Sequence, residues 1–130
     1  MIIMFKNLSQ FKKNVEVGQE VKVKNILKDK TEDRVVIEVR TNGISTGVEI
    51  SHEEYENMVN DWLSSGSTKE LQGKYFKTFR LDFQKAKHMN FEGNKVQFLA
   101  HEEERYGGSV LIPSPDFEVG DTWLELEFTK

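Results

Sequence analysis

Cysteine is absent from this 130-residue sequence, and proline occurs only twice. A chain without cysteine forms no disulfide scaffold, no thiolate zinc site and no cysteine nucleophile, and it suits a reducing compartment. Long apolar runs are also missing: 37% of the residues are hydrophobic and the mean hydropathy is -0.58, so no segment is expected to span a bilayer. The apolar start at residues 1–5 meets Lys6 too early for a secretory leader. The sequence therefore predicts a cytoplasmic protein without a membrane segment.

A chain of this length has room for one domain, and we expect residues 1–130 to form it. A domain of this size buries roughly two-thirds of the surface that its unfolded chain exposes. That area is sufficient for a hydrophobic core that needs neither a metal nor a disulfide.

Charge is unevenly distributed along the chain. The net charge is -4, but residues 67–95 carry 7 basic and 3 acidic side chains, whereas residues 96–130 carry 2 basic and 8 acidic ones. A basic middle segment is thus followed by a strongly acidic C-terminal segment. An uneven distribution of charge indicates which kinds of partner a protein can bind rather than which fold it has.

The first quarter of the chain predicts a helix followed by a strand. Residues 8–13 are expected to form a short helix capped by Asn7 or Ser9, because both side chains can accept the free backbone N–H groups of a first turn. After Gly18, Val21 and Val23 alternate with charged residues. That period of two is typical of a half-buried strand.

The strongest local prediction is a hairpin over residues 35–50 that turns at Asn42-Gly43. This pair is typical of a type I′ turn, in which both central residues need a positive φ. A two-residue turn there would pair Thr41 with Ile44 and Val39 with Thr46, and it would place the apolar side chains on one face.

A helix is predicted over residues 51–65, directly after the hairpin. Ser51 and Glu54 have the S-x-x-E spacing of a capping box. Apolar side chains then recur at the spacing of a core-facing helical stripe, namely Tyr55, Met58, Val59, Trp62 and Leu63. We therefore expect this segment to be the main amphipathic helix of the domain.

The rest of the chain has the pattern of β-strands. Residues 96–100 and 110–112 are expected to pair with each other, and residues 123–128 should direct Leu124, Leu126 and Phe128 inward. The fold predicted from these elements is α+β. It consists of a curved, mostly antiparallel sheet of five to seven strands, or a partial barrel, with the one main amphipathic helix packed on it.

Sequence motifs of catalysis and cofactor binding are absent. The chain contains no P-loop, no dinucleotide-binding glycine pattern, no H-E-x-x-H and no G-x-S-x-G. Two of the three histidines, His52, His88 and His101, could meet and bind a metal with carboxylates, but the simpler interpretation places all three at the surface. We therefore expect a non-enzymatic protein with no cofactor and no metal site.

Residues 69–95 interleave basic and aromatic side chains. Surfaces that bind single-stranded nucleic acid combine cations with aromatic stacking platforms. The candidate residues for such a surface are Lys74, Tyr75, Lys77, Arg80, Lys85 and Lys87. In the alternative interpretation the aromatic residues form core and the lysines are the solvated face of the same strands. An acidic protein is also expected to bind nucleic acid weakly.

Residues 102–108 are predicted to form an acidic loop between two strands. The candidate partner-binding residues in it are Glu102, Glu103, Glu104, Arg105 and Tyr106. Arginine and tyrosine are enriched among binding hot spots, and loops often carry function. In the alternative interpretation this is a solvated loop that only keeps the protein soluble.

The beginning of the chain resembles small uncharacterised proteins of Gram-positive phages and mobile elements. The resemblance lies in Met4-Phe5-Lys6-Asn7-Leu8-Ser9-Gln10-Phe11-Lys12-Lys13, in Val17-Gly18-Gln19-Glu20-Val21 and in Arg40-Thr41-Asn42-Gly43. It covers about the first third of the chain and brings no catalytic or binding residues with it. What it implies is a context of host takeover or anti-defence, in which a protein binds a host protein rather than catalysing a reaction.

The leading functional hypothesis is a non-enzymatic interaction protein. It would inhibit or redirect a basic, nucleic-acid-handling host protein through its acidic C-terminal face and the loop 102–108. The alternative is a nucleic-acid-binding accessory domain that uses the basic and aromatic strand surface. A third possibility is a small-ligand pocket in the mouth of the curved sheet. The oligomeric state is left open by the sequence.

Overall fold

The computed structural model of the protein describes residues 5–61, 65–100, 102–106, 110–113 and 122–128. These residues form two short α-helices, a 3-10 turn at Ser65–Ser67 and ten β-strands. The helices are α1 (Leu8–Asn14) and α2 (His52–Asn60). The strands are β1 (Glu20–Asn25), β2 (Lys30–Arg40), β3 (Gly43–Ile50), β4 (Thr68–Leu71), β5 (Lys74–Asp82), β6 (His88–Glu92), β7 (Lys95–Ala100), β8 (Glu103–Tyr106), β9 (Val110–Pro113) and β10 (Thr122–Phe128).

All ten strands belong to one antiparallel sheet. Their order is β6-β7-β10-β1-β2-β3-β5-β8-β9, and β4 pairs with the first part of β5. The predicted α+β class and the mostly antiparallel sheet are confirmed, whereas the predicted number of five to seven strands is wrong. The difference comes from β4, β6 and β8, which are only four or five residues long and give too little alternation to be recognised.

The sheet curves around its apolar face. The ring of Phe83, directly after β5, lies 5.8 Å from the ring of Phe98 on β7, although four strands lie between β5 and β7. A flat sheet would hold such strands about 24 Å apart, because neighbouring strands are about 4.8 Å apart. The hydrogen-bonded path of the described strands stays open, with β6 and β9 at its ends. Closure into a partial barrel stays a prediction.

Helix α1 fills the curve of the sheet. The side chain of its cap, Asn7, accepts a hydrogen bond from the Gln10 backbone N–H at 2.9 Å, so the helix predicted at residues 8–13 is confirmed. Phe11 is fully buried in the middle of this helix. Among the rings around it, at centroid distances from 5.0 to 5.9 Å, are those of Phe5, Phe83, Phe98 and Phe128. Phe11 of this short helix thus packs against core residues that come from both halves of the sheet.

Helix α2 lies outside that core. Its predicted cap is confirmed, because the Ser51 hydroxyl accepts a hydrogen bond from the Glu54 backbone N–H at 3.1 Å. No residue of α2 is buried, however, and its contact with the sheet includes the Tyr55 ring 4.6 Å from the ring of Tyr75 on β5. The expectation that this helix is the main core-packed element is therefore wrong. The last part of the predicted stripe, residues 62–64, lies outside the described residues.

The hairpin of β2 and β3 has a different register from the predicted one. Arg40 pairs with Gly43 and Val39 with Ile44, and neither Asn42 nor Gly43 has a positive φ, so the predicted type I′ turn is wrong. Gly43 is needed for another reason. A Cβ at this position would lie 2.5 Å from the carbonyl oxygen of Leu81 on β5, which is closer than real Cβ atoms approach.

A β-bulge in β2 changes which side chains face the core. The register shifts between Val36 and Glu38, so that Ile37 is the extra residue. With strict alternation, Glu38 would share the inward face of fully buried Val36. The bulge moves the exposed Glu38 to the outer face and lets Val39 pack against the core.

The C-terminal strands are partly as predicted. β7 forms, and in β10 the residues Leu124, Leu126 and Phe128 are buried, so both strand predictions are confirmed. The expected pairing of residues 96–100 with 110–112 is wrong, because β7 pairs with β6 and β10 while β9 pairs with β8. Strand pairing between distant segments depends on contacts that a local pattern does not contain.

Candidate functional site at the base of the β8–β9 hairpin

The predicted acidic loop is for the most part a strand. β8 and β9 pair from Glu103 opposite Pro113 to Tyr106 opposite Val110. Among the described residues, one ladder pair, Arg80 opposite Glu103, joins this hairpin to the rest of the sheet. The expectation of an exposed loop over residues 102–108 is therefore wrong for residues 103–106, and residues 107–109 lie outside the described ones.

Glu102 anchors the hairpin from the inner face of the sheet. One of its carboxylate oxygens accepts a hydrogen bond from the Arg34 guanidinium at 2.7 Å. The Arg34 side chain is fully buried and the Glu102 side chain is 4% exposed. This ion pair connects the strand β2 to the segment that leads into β8, across a separation of 68 residues in the sequence.

Arg34 is the centre of a buried polar cluster. Its guanidinium also donates to the Glu32 carboxylate at 2.8 and 3.1 Å and to the Thr46 hydroxyl at 3.0 Å. Its flat face lies 4.2 Å from the centre of the Phe79 ring. These contacts use the fork of donors and the stacking face that distinguish arginine from lysine. They offset much of the cost of removing the charges from water.

Glu103 anchors the same hairpin from the opposite face. Lys85 donates to both of its carboxylate oxygens, at 3.1 and 3.2 Å, and Glu103 is 6% exposed. Consecutive residues of an extended chain point to opposite faces. The Glu102-Glu103 dipeptide therefore holds the base of the hairpin to both faces of the sheet.

The predicted partner-binding residues thus fall into two groups. The carboxylates of Glu102 and Glu103 are buried and engaged within the chain, which contradicts their expected exposure at a loop tip. Glu104, Arg105 and Tyr106 continue along β8 beyond this anchor. Their contact with a partner stays a prediction.

The acidic face is less acidic than the linear count indicates. Apart from Glu102 and Glu103, two further carboxylates of the C-terminal segment lie on β10 beside basic residues. Glu125 is opposite Lys24 on β1, and Glu127 lies between Lys22 and Lys95 on the neighbouring strands. The other acidic residues of the segment are Glu104, whose side chain is not described, and Asp116, Glu118 and Asp121, which lie outside the described residues.

The basic and aromatic segment does not form a stacking platform. Phe76, Phe79 and Phe83 are buried, so the interpretation of these rings as core is confirmed. Tyr75 is half-buried, and its ring contacts two rings of α2. It lies 4.9 Å from the ring of His52 and 4.6 Å from the ring of Tyr55.

The cations of that segment also have local contacts. Lys85 binds Glu103, Lys74 lies 4.0 Å from Glu49, and the Lys77 ammonium lies 5.4 Å from the Phe79 ring centre. Arg80 lies on the outer face of β5, opposite Glu103. Lys87 precedes β6, and its backbone N–H donates to the Leu99 carbonyl. These cations are spread over both faces of the sheet rather than gathered along one groove.

The two described histidines, His52 and His88, have different neighbours. The His52 imidazole lies 3.1 Å from the Glu56 carboxylate one helical turn away, and the His88 ring stacks 6.4 Å from that of Trp123. His101 lies outside the described residues. The part of the chain that the structure describes contains no group of three or more histidine, aspartate or glutamate side chains that could hold a metal ion.

Arg34 and Lys85 are the two site residues whose roles the sequence did not reveal. Arg34 is two residues before the buried Val36 and therefore in phase with the core face of β2. This spacing was the signal in the sequence that Arg34 faces the core. A charged residue is ordinarily assigned to the solvent-facing side of a strand, however, so the signal is easily missed.

Comparisons with known proteins return no match: no family model, no curated protein and no solved structure is similar to this chain. The resemblance to small phage proteins stays a prediction. No helix in the described ranges is both long enough and apolar enough to cross a membrane, and a cytoplasmic location stays a prediction as well.

Proposed function

We propose that this protein acts by binding another protein, without catalysing a reaction, and that the β8–β9 hairpin is its contact element. The single observation that carries the proposal is the way in which the hairpin is built. In the part of the chain that the structure describes, one strand pair joins the hairpin to the main ladder, and its base is held by two buried carboxylates, one on each face of the sheet. A contact element benefits from such a rigidly held base.

The edge of the hairpin supports the same function. Within the described strands, β9 pairs with β8 alone. An open strand edge can accept a strand from a partner through main-chain hydrogen bonds, a recurrent form of protein recognition. Arg105 and Tyr106 on β8 are residue types that commonly dominate binding energy.

The partner that we propose is a host protein that is inhibited or redirected by the contact. The host context is supported by the resemblance of the N-terminal third to small proteins of phages and mobile elements. A basic partner is supported by Glu104 and by the acidic residues at 116, 118 and 121 in the sequence.

The proposal is tested by affinity purification with hairpin variants. Arg105→Ala and Tyr106→Ala should each reduce the amount of co-purifying partner roughly 30-fold, since truncation of a hot-spot residue typically costs about 2 kcal/mol or more. Lys13→Ala, at an exposed position on α1, is the matched control and should capture as well as the wild type. Circular dichroism and urea unfolding would verify that all three variants fold.

Glu102 and Glu103 are unsuitable targets for this experiment, because replacing a buried anchor would change the fold together with the contact. The proposal is wrong if both hairpin variants capture the same proteins in the same amounts as the wild type does. It is also wrong if Lys13→Ala reduces the capture of these proteins as much as Arg105→Ala and Tyr106→Ala do.

A further inference from the structure

The strand β6 (His88–Glu92) forms one end of the sheet. Within the described strands it pairs with β7 alone, so its other edge presents main-chain groups that a further strand could bind. Edge strands are commonly protected from such pairing by lysine, by proline or by a charge that points inward. The middle of β6, Met89-Asn90-Phe91, contains no lysine, no proline and no charged residue. The sequence of β6 therefore does little to block a further strand.

The hydrogen bonds of the β6–β7 hairpin determine which main-chain groups face this open edge. Glu92 flanks the two-residue turn of the hairpin, so its main-chain groups bond across the turn to β7. Because ladder bonds alternate along an antiparallel strand, the N–H and C=O groups of Met89 and Phe91 point away from β7. The Gly93 carbonyl has the same phase, and it accepts a hydrogen bond from outside the hairpin, from the Phe5 backbone N–H at 2.7 Å. Met89 and Phe91 are therefore the residues whose main chain an added strand would bind.

The side chains of β6 are complementary to the same strand in reverse. Met89 and Phe91 are half-buried and pack against the core. The other face carries the exposed side chains of His88, Asn90 and Glu92. Reversal of the strand about Asn90 exchanges Met89 with Phe91, so an apolar side chain meets an apolar one. It also exchanges His88 with Glu92, so an imidazole meets a carboxylate. This self-complementarity selects a second copy of the chain as the occupant of the edge.

We propose that two copies of this protein form a symmetric dimer in which the two β6 strands pair antiparallel about Asn90. Met89 of each copy then lies opposite Phe91 of the other, and the two residues exchange main-chain hydrogen bonds. His88 of each copy lies opposite Glu92 of the other, within reach of a hydrogen bond from the imidazole to the carboxylate. The same patch of both copies forms the contact, as in most dimers of identical chains.

The register of this pairing is specified by the strand itself. Asn90 is the only centre that pairs all five residues of β6. A centre at Glu92 would place two carboxylates directly opposite each other, which destabilises a sheet. It would also require the Gly93 carbonyl, which is already used by the Phe5 N–H. A centre at His88 would pair only the beginning of the strand.

Sedimentation equilibrium of the purified full-length protein measures the dimer. An edge of five residues gives a small interface, so we expect a weak dimer with a dissociation constant on the order of 0.1 mM. Amide hydrogen exchange locates the contact. The amides of Met89 and Phe91 should exchange about threefold more slowly at roughly 1 mM protein than at roughly 0.02 mM, because the dimer protects them. The amide of Asn90 is bonded to β7 in the single chain, and its exchange should not depend on concentration in this way.

Variants of the exposed face test the register. His88→Glu places like charges opposite each other twice in each dimer and should weaken it about threefold or more. The double variant His88→Glu with Glu92→Lys makes these pairs opposite in charge again and should restore the dimer.

Asn90→Lys tests the symmetry axis, because it places two ammonium groups directly opposite each other. It should abolish the dimer in the same concentration range. Asn57→Lys makes the same change at an exposed position on α2 and should dimerise like the wild type. Circular dichroism verifies folding, and the exchange of charges at the strand ends decides the question if Asn90→Lys does not fold.

A protein that stays monomeric up to about 1 mM would overturn the proposal, since even weak edge contacts form at such concentrations. A dimer in which the amides of Met89 and Phe91 exchange as in the monomer would overturn it as well. The same holds for a double variant no tighter than His88→Glu, for equal affinities of Asn90→Lys and Asn57→Lys, and for open polymers, which need a head-to-tail contact. The β8–β9 hairpin has no part in the proposed dimer contact, and the measurement needs no other protein. This proposal and the proposed function are therefore tested separately.

Discussion

Arg34 shows how a charged side chain can occupy the inner face of this sheet. Its partners come from three separate parts of the chain: Glu32 on its own strand, Thr46 on β3 and Glu102 before β8. A buried ion pair is weak evidence for net stability, because desolvation opposes the attraction between the charges. The loss of one partner of the pair, by contrast, destabilises a protein strongly, because the remaining charge stays buried without that partner.

Arg34→Met should therefore destabilise the protein by about 3–5 kcal/mol, the usual cost of breaking a buried pair from one side. The change would leave the Glu102 carboxylate without the guanidinium that binds it at 2.7 Å. The free energy of unfolding in urea measures the effect.

A double variant provides the control for this prediction. Arg34→Met combined with Glu102→Leu removes both charges and should be more stable than Arg34→Met alone, because no carboxylate is then stranded at that position. A loss of less than about 1 kcal/mol in the single variant would show that the cluster tolerates an uncompensated charge.

The two helices have similar caps and unequal roles. Asn7 caps α1 and Ser51 caps α2, each by accepting a backbone N–H three residues ahead. Phe11 on α1 is fully buried, whereas no residue of α2 is buried. The stability of α1 is therefore coupled to the core, and that of α2 is mainly local.

Removal of the caps should separate these roles. Asn7→Ala should lower the global free energy of unfolding by about 1 kcal/mol, a typical value for a lost cap. Ser51→Ala should leave it nearly unchanged and instead speed hydrogen exchange at the amides of Glu54 and Tyr55. Urea unfolding and native-state hydrogen exchange measure the two effects. Equal global losses in the two variants would contradict the assignment of α2 as a peripheral helix.

At the scale of the whole molecule, the middle of the sheet is built from both halves of the chain. β10 lies between β7 and β1, with Val21 opposite Phe128 and Leu126 opposite Val96. Its three buried residues, Leu124, Leu126 and Phe128, belong to the one core cluster. An interior strand of this kind cannot be removed without exposing two strand edges and part of the core.

A chain that ends at residue 121 should therefore lose its cooperative unfolding transition, which circular dichroism would follow in urea. A peptide with the sequence of residues 122–128, added in trans, should restore part of the transition because it supplies the missing strand. A truncated chain that unfolds as cooperatively as the full protein would show that β10 is dispensable.

Features whose physical cause lies within a few residues could be predicted from the sequence. The caps at Asn7 and Ser51 and the alternation of Leu124, Leu126 and Phe128 belong to this group, since their hydrogen bonds and period are local. The absence of cysteine likewise determined by itself that no disulfide holds the chain together.

Other features were decided only by the tertiary structure. The observed register of β2 and β3 sets Gly43 against Leu81 on a third strand, where a Cβ would not fit. The burial of Arg34 and the strand at residues 103–106 depend on Glu102, which is 68 residues away from Arg34 in the sequence. Local patterns contain no information on such contacts, because the groups that satisfy a buried charge or fill a glycine's space come together only when the strands assemble into the curved sheet.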